Sequence, residues 1–283
     1  MSPTAQRPAI GGALLTLAMA AFAVSDSLAK QLAPHFPAFA LAWFRYLALL
    51  ITVLPLVLQR PVLMKSGQPL LQALRAIALA GSAVLFLYGL RSIPQAEATA
   101  MVFASPLFVV LLARLVLHER LSTARVVPVL MGFIGVLVVA RPGTSSFGGA
   151  EFFPLFSSMA WASAVILTRK LGATDGTTTT MFHSALIGVL CLSPMLPAMN
   201  GPMPVSAWLA LASMCVAWCA AQWLVVSAYR IAPPSAIAPL SYSQMLWAGI
   251  LGWAVFGHWP DTVSLLGMGI IALSAMYAAW RAA

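Results

Sequence analysis

The chain has 283 residues, of which 61% are hydrophobic and only 7% are charged, whereas soluble domains carry about 25% charged residues. With a mean hydropathy of +0.95, this composition excludes a soluble globular fold and predicts a chain that lies in the lipid bilayer. The formal net charge is +9, but the basic residues are scattered between apolar runs, which argues against nucleic acid as a partner and favours loops beside anionic lipid head groups.

Membrane spans can be predicted in chain order from apolar runs of about 20 residues. The first run begins at Ile10, and although its short basic leader also resembles a signal peptide, we interpret it as a span because no soluble domain follows it. Dividing the rest of the chain at Pro, Gly and charge clusters predicts ten spans in total. Their approximate bounds are 10–32, 37–58, 69–90, 94–117, 123–140, 150–171, 177–199, 205–229, 234–257 and 262–280.

Basic residues set the orientation of these spans, because cytoplasmic loops carry an excess of Lys and Arg. If the N-terminus is cytoplasmic, most of the basic residues fall on the cytoplasmic side. Lys30, Arg91 and Arg141 fall on the opposite side, and Arg45 lies inside the second span. We therefore expect both termini to be cytoplasmic and the chain to be a multi-pass protein of a bacterial inner membrane.

The two halves of the sequence resemble each other when one is shifted by 139 residues. The shift aligns Leu32 with Leu171, and it aligns the segment LVLHERLS with AVFGHWPD. Each predicted repeat, residues 1–142 and 143–283, contains five spans, and an odd number of spans inverts the second copy in the membrane. The pattern predicts an all-α integral membrane protein of two inverted five-helix repeats, an architecture typical of secondary transporters.

The segments HERLS after the fourth span and GHWPD after the ninth, together with the ten-span pattern, resemble the EamA-type branch of the drug/metabolite transporter superfamily over nearly the whole chain. Arg45 in AWFRYLA is similar to the arginine of these proteins in span two, and Glu119 to their acidic residue after span four. The second half departs from the pattern, since His258 replaces the usual Glu and Met245 an often-found Pro. The resemblance implies alternating access around a central cavity between the repeats.

Ionisable side chains are concentrated in the first half, where Asp26, Lys30, Arg45, Arg91 and Glu97 fall within or beside the spans. A rise of about 1.5 Å per residue places all of them in the outer third of the predicted repeat. Asp26 and Lys30 are spaced as an i, i+4 pair, but Asp26 has Arg45 as an alternative partner. Two interpretations stay open, a structural charge network and an outer mouth that binds or gates substrate.

Aromatic and neutral polar side chains within the spans suit a ligand that is partly apolar and partly polar. The alternative for each of them is lipid contact or helix packing. The resemblance implies that the cavity is lined by spans one, three, four, six, eight and nine. The candidates on these spans are Tyr88, Thr99, Ser105, Trp161, Trp218, Gln222, Tyr242 and Gln244.

The function expected from these features is secondary transport of a small amphipathic metabolite. Within the family, the chain is similar to bacterial exporters of amino acids, including aromatic ones, and S-adenosylmethionine carriers are also similar. Amino acid export is therefore the first expectation, and import of S-adenosylmethionine or a nucleoside-like metabolite is the alternative. An intramembrane enzyme or a receptor is the other class, but the sequence contains no HExxH, GxSxG or Walker motif. We expect no cofactor, no metal and a monomeric protein.

Overall fold

The computed structural model describes residues 8–116, 123–142, 148–171, 174–198, 204–232 and 237–282, and all regular secondary structure in these ranges is helical. Short 3-10 helices are formed by Pro61–Met64, Ser193–Ala198 and Ala238–Tyr242. The α-helices are α1 (Pro8–Leu32), α2 (Ala38–Gln59), α3 (Pro69–Ser92), α4 (Gln95–Val102), α5 (Ser105–Val116), α6 (Thr123–Ala140), α7 (Phe152–Leu171), α8 (Thr177–Leu192), α9 (Val205–Ile231), α10 (Ser243–Phe256) and α11 (Thr262–Ala282).

Seven helical segments among the described residues are long and apolar enough to cross a membrane. They coincide with the first four predicted spans and with the sixth, seventh and eighth. Shorter apolar helices, Val126–Ala140 and Thr262–Tyr277, lie in the fifth and tenth predicted spans, and α10, in the ninth, has 14 residues. The chain is therefore a multi-pass helical membrane protein, and the total of ten spans stays a prediction.

Two segments predicted as continuous helices, 94–117 and 234–257, are interrupted. Between α4 and α5, the N–H groups of Phe103 and Ala104 donate to carbonyls three residues back, at 3.1 and 3.0 Å. Just beyond them, Pro106 has no N–H to donate to the Val102 carbonyl, so the α-helical ladder lacks a bond there. In the later segment, a 3-10 helix that ends at Tyr242 precedes α10. The shift of 139 residues aligns Phe103 with Tyr242, so both interruptions lie at the same position in the two halves.

Helices of the two halves pack against each other: α1 lies along α9, and α3 lies along α7. Glycine permits a close approach of α6 to α11, where a Cβ on Gly135 would lie 2.7 Å from the carbonyl oxygen of Gly267. Such small-residue contacts are the usual means of packing helices in lipid. The motif HERLS, with Glu119, lies outside the described residues, whereas Met245 is buried and His258 is exposed.

The helix pair α1–α2 defines two opposite ends of the molecule. The segment 33–37 connects α1 to α2, and the segment 60–68 follows α2, which is about 33 Å long at 1.5 Å per residue. Phe36 is buried in the first segment. Asp175, between α7 and α8, accepts a hydrogen bond from the Gly67 N–H in the second segment, at 2.9 Å. We call these the Phe36 end and the Asp175 end.

Candidate functional site

A buried ion pair joins α1 to α2. Arg45 Nη2 donates to Asp26 Oδ1 at 2.9 Å, and the two side chains are 5% and 6% exposed. The same nitrogen donates to Ser25 Oγ at 2.9 Å, and Ser25 in turn donates to the Met214 carbonyl of α9 at 3.0 Å. Arg45, rather than Lys30, is therefore the partner of Asp26. Each charge needs the other here, because an isolated charge is costly to bury.

Some polar atoms of the ion pair and of other predicted site residues have weak partners or none. Gln244 Nε2 on α10 is 3.5 Å from Asp26 Oδ2, at the long limit of a hydrogen bond. Arg45 Nε and Thr99 Oγ1 are buried without a hydrogen-bond partner among the described residues. Buried polar groups in native proteins are mostly paired, so these atoms are candidates for contact with a ligand.

Lys30 points away from Asp26 and instead joins α1 to the start of α4. Its Nζ donates to the Ile93 carbonyl and lies 5.5 Å from the centre of the Phe256 ring. Ser27 strengthens the same junction by donating to Gln95 Oε1 at 2.6 Å, and Gln95 Nε2 donates to the Ala23 carbonyl at 2.8 Å. Lys30 therefore contributes mainly to helix packing and to the charge of the Phe36 end.

Aromatic rings on several helices pack against each other in pairs. Tyr242 stacks on Phe103, with ring centres 4.6 Å apart and planes inclined by 23°. Trp218 packs edge-on against Tyr46, with 5.9 Å between ring centres. The stack lies directly at the two helix interruptions, and Tyr242 is two residues before Gln244. Flat ring faces and polar side chains therefore occur together where α4 and α10 meet.

The remaining predicted candidates lie outside this group of contacts. Tyr88 stacks on Phe153, with ring centres 5.8 Å apart. Ser105 and Gln222 are half-buried, and Trp161 on α7 is 46% exposed. Within the described structure, none of these four forms a hydrogen bond with Asp26 or Arg45.

A second polar region lies at the Phe36 end, around a cavity of about 210 Å³ whose charged lining is formed by Glu97, Arg141, Glu151 and Asp261. Glu97 Oε1 accepts a hydrogen bond from Ser264 at 2.9 Å. Arg141 forms an ion pair with Asp261, and the hydrogen bond from Arg141 lowers the pKa of the Asp261 carboxyl to about 2. Glu97 is thus separate from the Asp26–Arg45 pair and belongs to another group of charges.

A third polar region closes the Asp175 end. The Asp175 carboxylate accepts hydrogen bonds from Ser66, from the Gly67 N–H at 2.9 Å and from Gln72 Nε2 at 2.7 Å. Desolvation raises the pKa of Asp175, but these hydrogen bonds outweigh it and leave the pKa below its ordinary value. Nearby, Arg75 on α3 donates to Ser184 Oγ on α8. The contacts join the first half of the chain to the second.

Four polar residues near the predicted charges were not predicted from the sequence, namely Ser25, Ser27, Gln95 and Ser264, and each of them forms hydrogen bonds between helices or segments. The signal for two of them was present, because Ser25 and Ser27 flank Asp26 within an otherwise apolar run. Ser and Thr are common in membrane helices as partners of the local backbone, so this signal is weak. Among the described residues, no group of three His, Cys, Asp or Glu side chains is arranged to hold a metal ion.

These features define a multi-pass helical membrane protein with a buried polar pair among its helices. The chain belongs to the EamA-like transporter family, whose family model matches residues 9–141 and 149–280. It is therefore a membrane transporter of the drug/metabolite transporter superfamily, as the HERLS and GHWPD segments predicted.

Two similar proteins are transporters with a named substrate. The chain is 29% identical over 279 residues to the riboflavin transporter of Vibrio cholerae, with 95% of this chain and 93% of the relative covered. It is 26% identical over 265 residues to the S-adenosylmethionine uptake transporter of Rickettsia prowazekii, with 92% and 89% covered. One solved crystal structure covers 94% of this chain and 96% of its own, with a TM-score of 0.65 and 17% identity, and shows the fold alone.

Proposed function

We propose that the protein is a secondary transporter that carries a metabolite with a planar heteroaromatic group, of the flavin or adenosyl class, across a bacterial inner membrane. The observation that carries this proposal is the Phe103–Tyr242 stack, because Tyr242 is two residues before Gln244, whose amide is 3.5 Å from Asp26 of the buried Asp26–Arg45 pair. A flat ring can insert between or beside aromatic faces, while amide and charged groups bind its polar edge. The names of the riboflavin and S-adenosylmethionine transporters support the same class.

This proposal reverses the order of substrates expected from the sequence. Amino acid export was expected from the resemblance to bacterial amino acid exporters. Arg45 could bind the carboxylate of such a substrate, but its Nη2 is already bonded to Asp26 and Ser25. Only Nε of its guanidinium is recorded as buried and unpartnered. A carboxylate that binds Nη2 would have to displace Asp26 from a buried ion pair, which is costly. The relatives' names also favour the alternative over amino acid export.

Transport by alternating access between two inverted five-helix repeats belongs to the same proposal. It is supported by the two separate matches to the family model, residues 9–141 and 149–280, and by the matching helix interruptions in the two halves. Broken helices at equivalent positions commonly mark the substrate site of such transporters. With cytoplasmic termini, as the basic residues favour, the Phe36 end faces outward and the Asp175 end faces the cytoplasm.

Purified protein in proteoliposomes tests the substrate class directly. Counterflow of labelled riboflavin, S-adenosylmethionine and tryptophan is measured with and without a proton gradient, against protein-free liposomes. We expect saturable flux of riboflavin or S-adenosylmethionine that exceeds tryptophan flux. Flux of tryptophan alone would restore amino acid export, and no flux of any of the three would contradict the proposed substrate class.

A pair of variants then tests the site. Gln244→Leu removes the amide that faces Asp26 and should lower flux of the transported compound. Ser213→Ala is the matched control, because Ser213 is exposed and its hydroxyl bonds only the Leu209 carbonyl of its own helix. Equal flux in both variants would remove Gln244 from the substrate site.

A further inference from the structure

The lining of the cavity at the Phe36 end contains more carboxylates than cations. Three carboxylates, Glu97, Glu151 and Asp261, share its lining with one guanidinium, that of Arg141. The guanidinium is paired with Asp261. Lys30, the other cation near Glu97, donates to the Ile93 carbonyl. Glu97 and Glu151 therefore have no cationic hydrogen-bond partner within the described structure.

Glu151 is the clearest sign of a ligand site. Its side chain lines the cavity, although the residue is only 7% exposed. One carboxylate oxygen, Oε1, accepts a long 3.4 Å hydrogen bond from the Gly148 N–H. The other, Oε2, is buried with no hydrogen-bond partner among the described residues. A buried carboxylate oxygen without a donor is energetically costly, so the cavity is built to receive a donor.

The shape and lining of the cavity favour an ammonium group over a bare metal ion. Its volume of about 210 Å³ is several times the roughly 30 Å³ that one water molecule occupies in the liquid. No three acidic, His or Cys side chains of the described residues converge as metal ligands. Met101, Val139 and Ala140 supply an apolar wall. An alkylammonium has three N–H donors for carboxylates and carbon atoms for that wall.

We propose that Glu97 and Glu151 bind the primary ammonium group of a transported solute at the Phe36 end. The proposal rests on the proposed function and narrows it, because S-adenosylmethionine carries a primary ammonium and riboflavin carries none. Asp261, whose side chain is 55% exposed and paired with Arg141, lies at the rim, where solvent reaches the cavity. Solutes with an ammonium group are thus selected before they reach the Asp26–Arg45 pair.

Binding of a small probe tests the site without any transport. Ethylammonium chloride is titrated into the purified protein by calorimetry, with sodium chloride at equal ionic strength as the reference. We expect ethylammonium to bind wild type, and Glu151→Gln to weaken binding about tenfold or more, since hydrogen bonds to charged groups contribute about 1.5–3 kcal/mol. Asp175→Asn, a carboxylate neutralised at the opposite end, should leave ethylammonium binding intact. Absence of ethylammonium binding by wild type would overturn the proposal.

Thermal unfolding separates a ligand site from a structural role. Without added amine, Glu151→Gln should have a Tm equal to or above that of wild type, because a buried, unpartnered charge is removed. A lower Tm together with unchanged ethylammonium binding would assign Glu151 a structural role and contradict the proposal.

Transport then separates this proposal from the proposed function. In proteoliposomes, Glu151→Gln should lower flux of S-adenosylmethionine at low concentration by about tenfold, by the same charge contribution, and leave riboflavin flux unchanged. Equal flux of S-adenosylmethionine in variant and wild type would overturn the ammonium site while leaving the transporter assignment intact. Ethylammonium binding without flux of either compound would support the site and contradict the proposed substrate class.

Discussion

The first and second halves of the molecule differ in the chemistry of corresponding positions. Shifting by 139 residues aligns Asp26 with Val165 and Arg45 with Ser184. The first half thus has a buried ion pair between α1 and α2, whereas the second has a valine and a serine on α7 and α8. Ser184 is reached instead by Arg75, from α3 of the first half. A similar order of helices therefore supports two unlike polar arrangements.

The two ends of the molecule show the same contrast. The shift aligns Phe36 with Asp175. Phe36 is 1% exposed and packs edge-on against Phe44 and Trp208, with ring centres 6.0 and 5.5 Å apart. Asp175 instead accepts hydrogen bonds from the segment 66–72. Aromatic burial involves no ionisable group, whereas hydrogen bonds to a carboxylate depend on its ionisation. The Phe36 packing and the Asp175 hydrogen bonds should therefore weaken under different conditions.

Breaking the ion pair should give the largest difference between the halves. Arg45→Met leaves the Asp26 carboxylate buried and unpaired, and should lower the free energy of unfolding by about 3–5 kcal/mol. Ser184→Ala, at the corresponding position, removes one of the acceptors of the Arg75 guanidinium and should cost about 1.5 kcal/mol. Thermal unfolding in detergent micelles measures both. If Arg45→Met and Ser184→Ala lowered the stability by similar amounts, the proposed difference between the two halves would be wrong.

A double variant identifies the cause of that loss. Asp26→Leu combined with Arg45→Met removes both charges, and should recover most of the stability lost by Arg45→Met, because an apolar pair can replace a buried ion pair at little cost. A double variant as unstable as Arg45→Met would instead point to packing around the Arg45 side chain.

Removing the ring at the Phe36 end should have the next largest effect. Phe36→Ala leaves a cavity between Phe44 and Trp208 and should lower the free energy of unfolding by about 3 kcal/mol, within the range for buried phenylalanines. Phe36→Leu keeps most of the apolar volume and should cost about half as much or less. Thermal unfolding distinguishes the two variants, and equal stability of Phe36→Ala and wild type would show that ring burial does not hold this end closed.

The Asp175 hydrogen bonds should show a pH dependence that the packing of the Phe36 ring lacks. Because the pKa of Asp175 is lowered in the folded protein, its hydrogen bonds contribute fully above the ordinary carboxyl pKa of about 3.9 and are lost as the pH falls below it. The stability difference between wild type and Asp175→Asn should therefore be constant from neutral pH to about 5 and shrink below about 4. The Phe36→Ala difference should not change, and a Phe36→Ala difference that also shrinks would contradict the assignment.

The sequence predicted well those features that depend on hydropathy and spacing. Apolar runs located the helices, because lipid requires about 20 apolar residues per span, and short motifs identified the family. The sequence could not select the partner of Asp26, since Lys30 lies one turn away on the same helix and Arg45 on the next. Which of the two cations pairs with Asp26 depends on the direction of the side chains. Lys30 is directed elsewhere because it donates a hydrogen bond to the carbonyl of Ile93, which is distant in sequence.

Other parts of the site were hidden for the same reason. Glu97 was grouped with Asp26 and Arg45 by depth alone, but it faces Ser264 and the cavity at the Phe36 end. Glu151 was not a candidate, because it precedes α7 in a connecting segment and gains significance only from burial. The interruption of the helix at Phe103 could not be predicted from the sequence, because it is defined by which carbonyl each backbone N–H bonds. Pro106 indicated only that the helix could be irregular nearby.

The smallest effect is expected at the pair of rings where the two halves are most alike. Tyr242→Phe makes this position identical to Phe103 and keeps the ring face of the stack, so stability should change by about 0.5 kcal/mol or less. Flux of riboflavin or S-adenosylmethionine in proteoliposomes should remain near the wild-type level. Tyr242→Leu keeps apolar volume but removes the flat face, and should lower that flux several-fold, since aromatic pairs contribute about 0.5–1.5 kcal/mol beyond area burial. Full flux in Tyr242→Leu would mean that the ring face packs helices only, and loss of flux in Tyr242→Phe would assign the hydroxyl, rather than the ring, to the substrate.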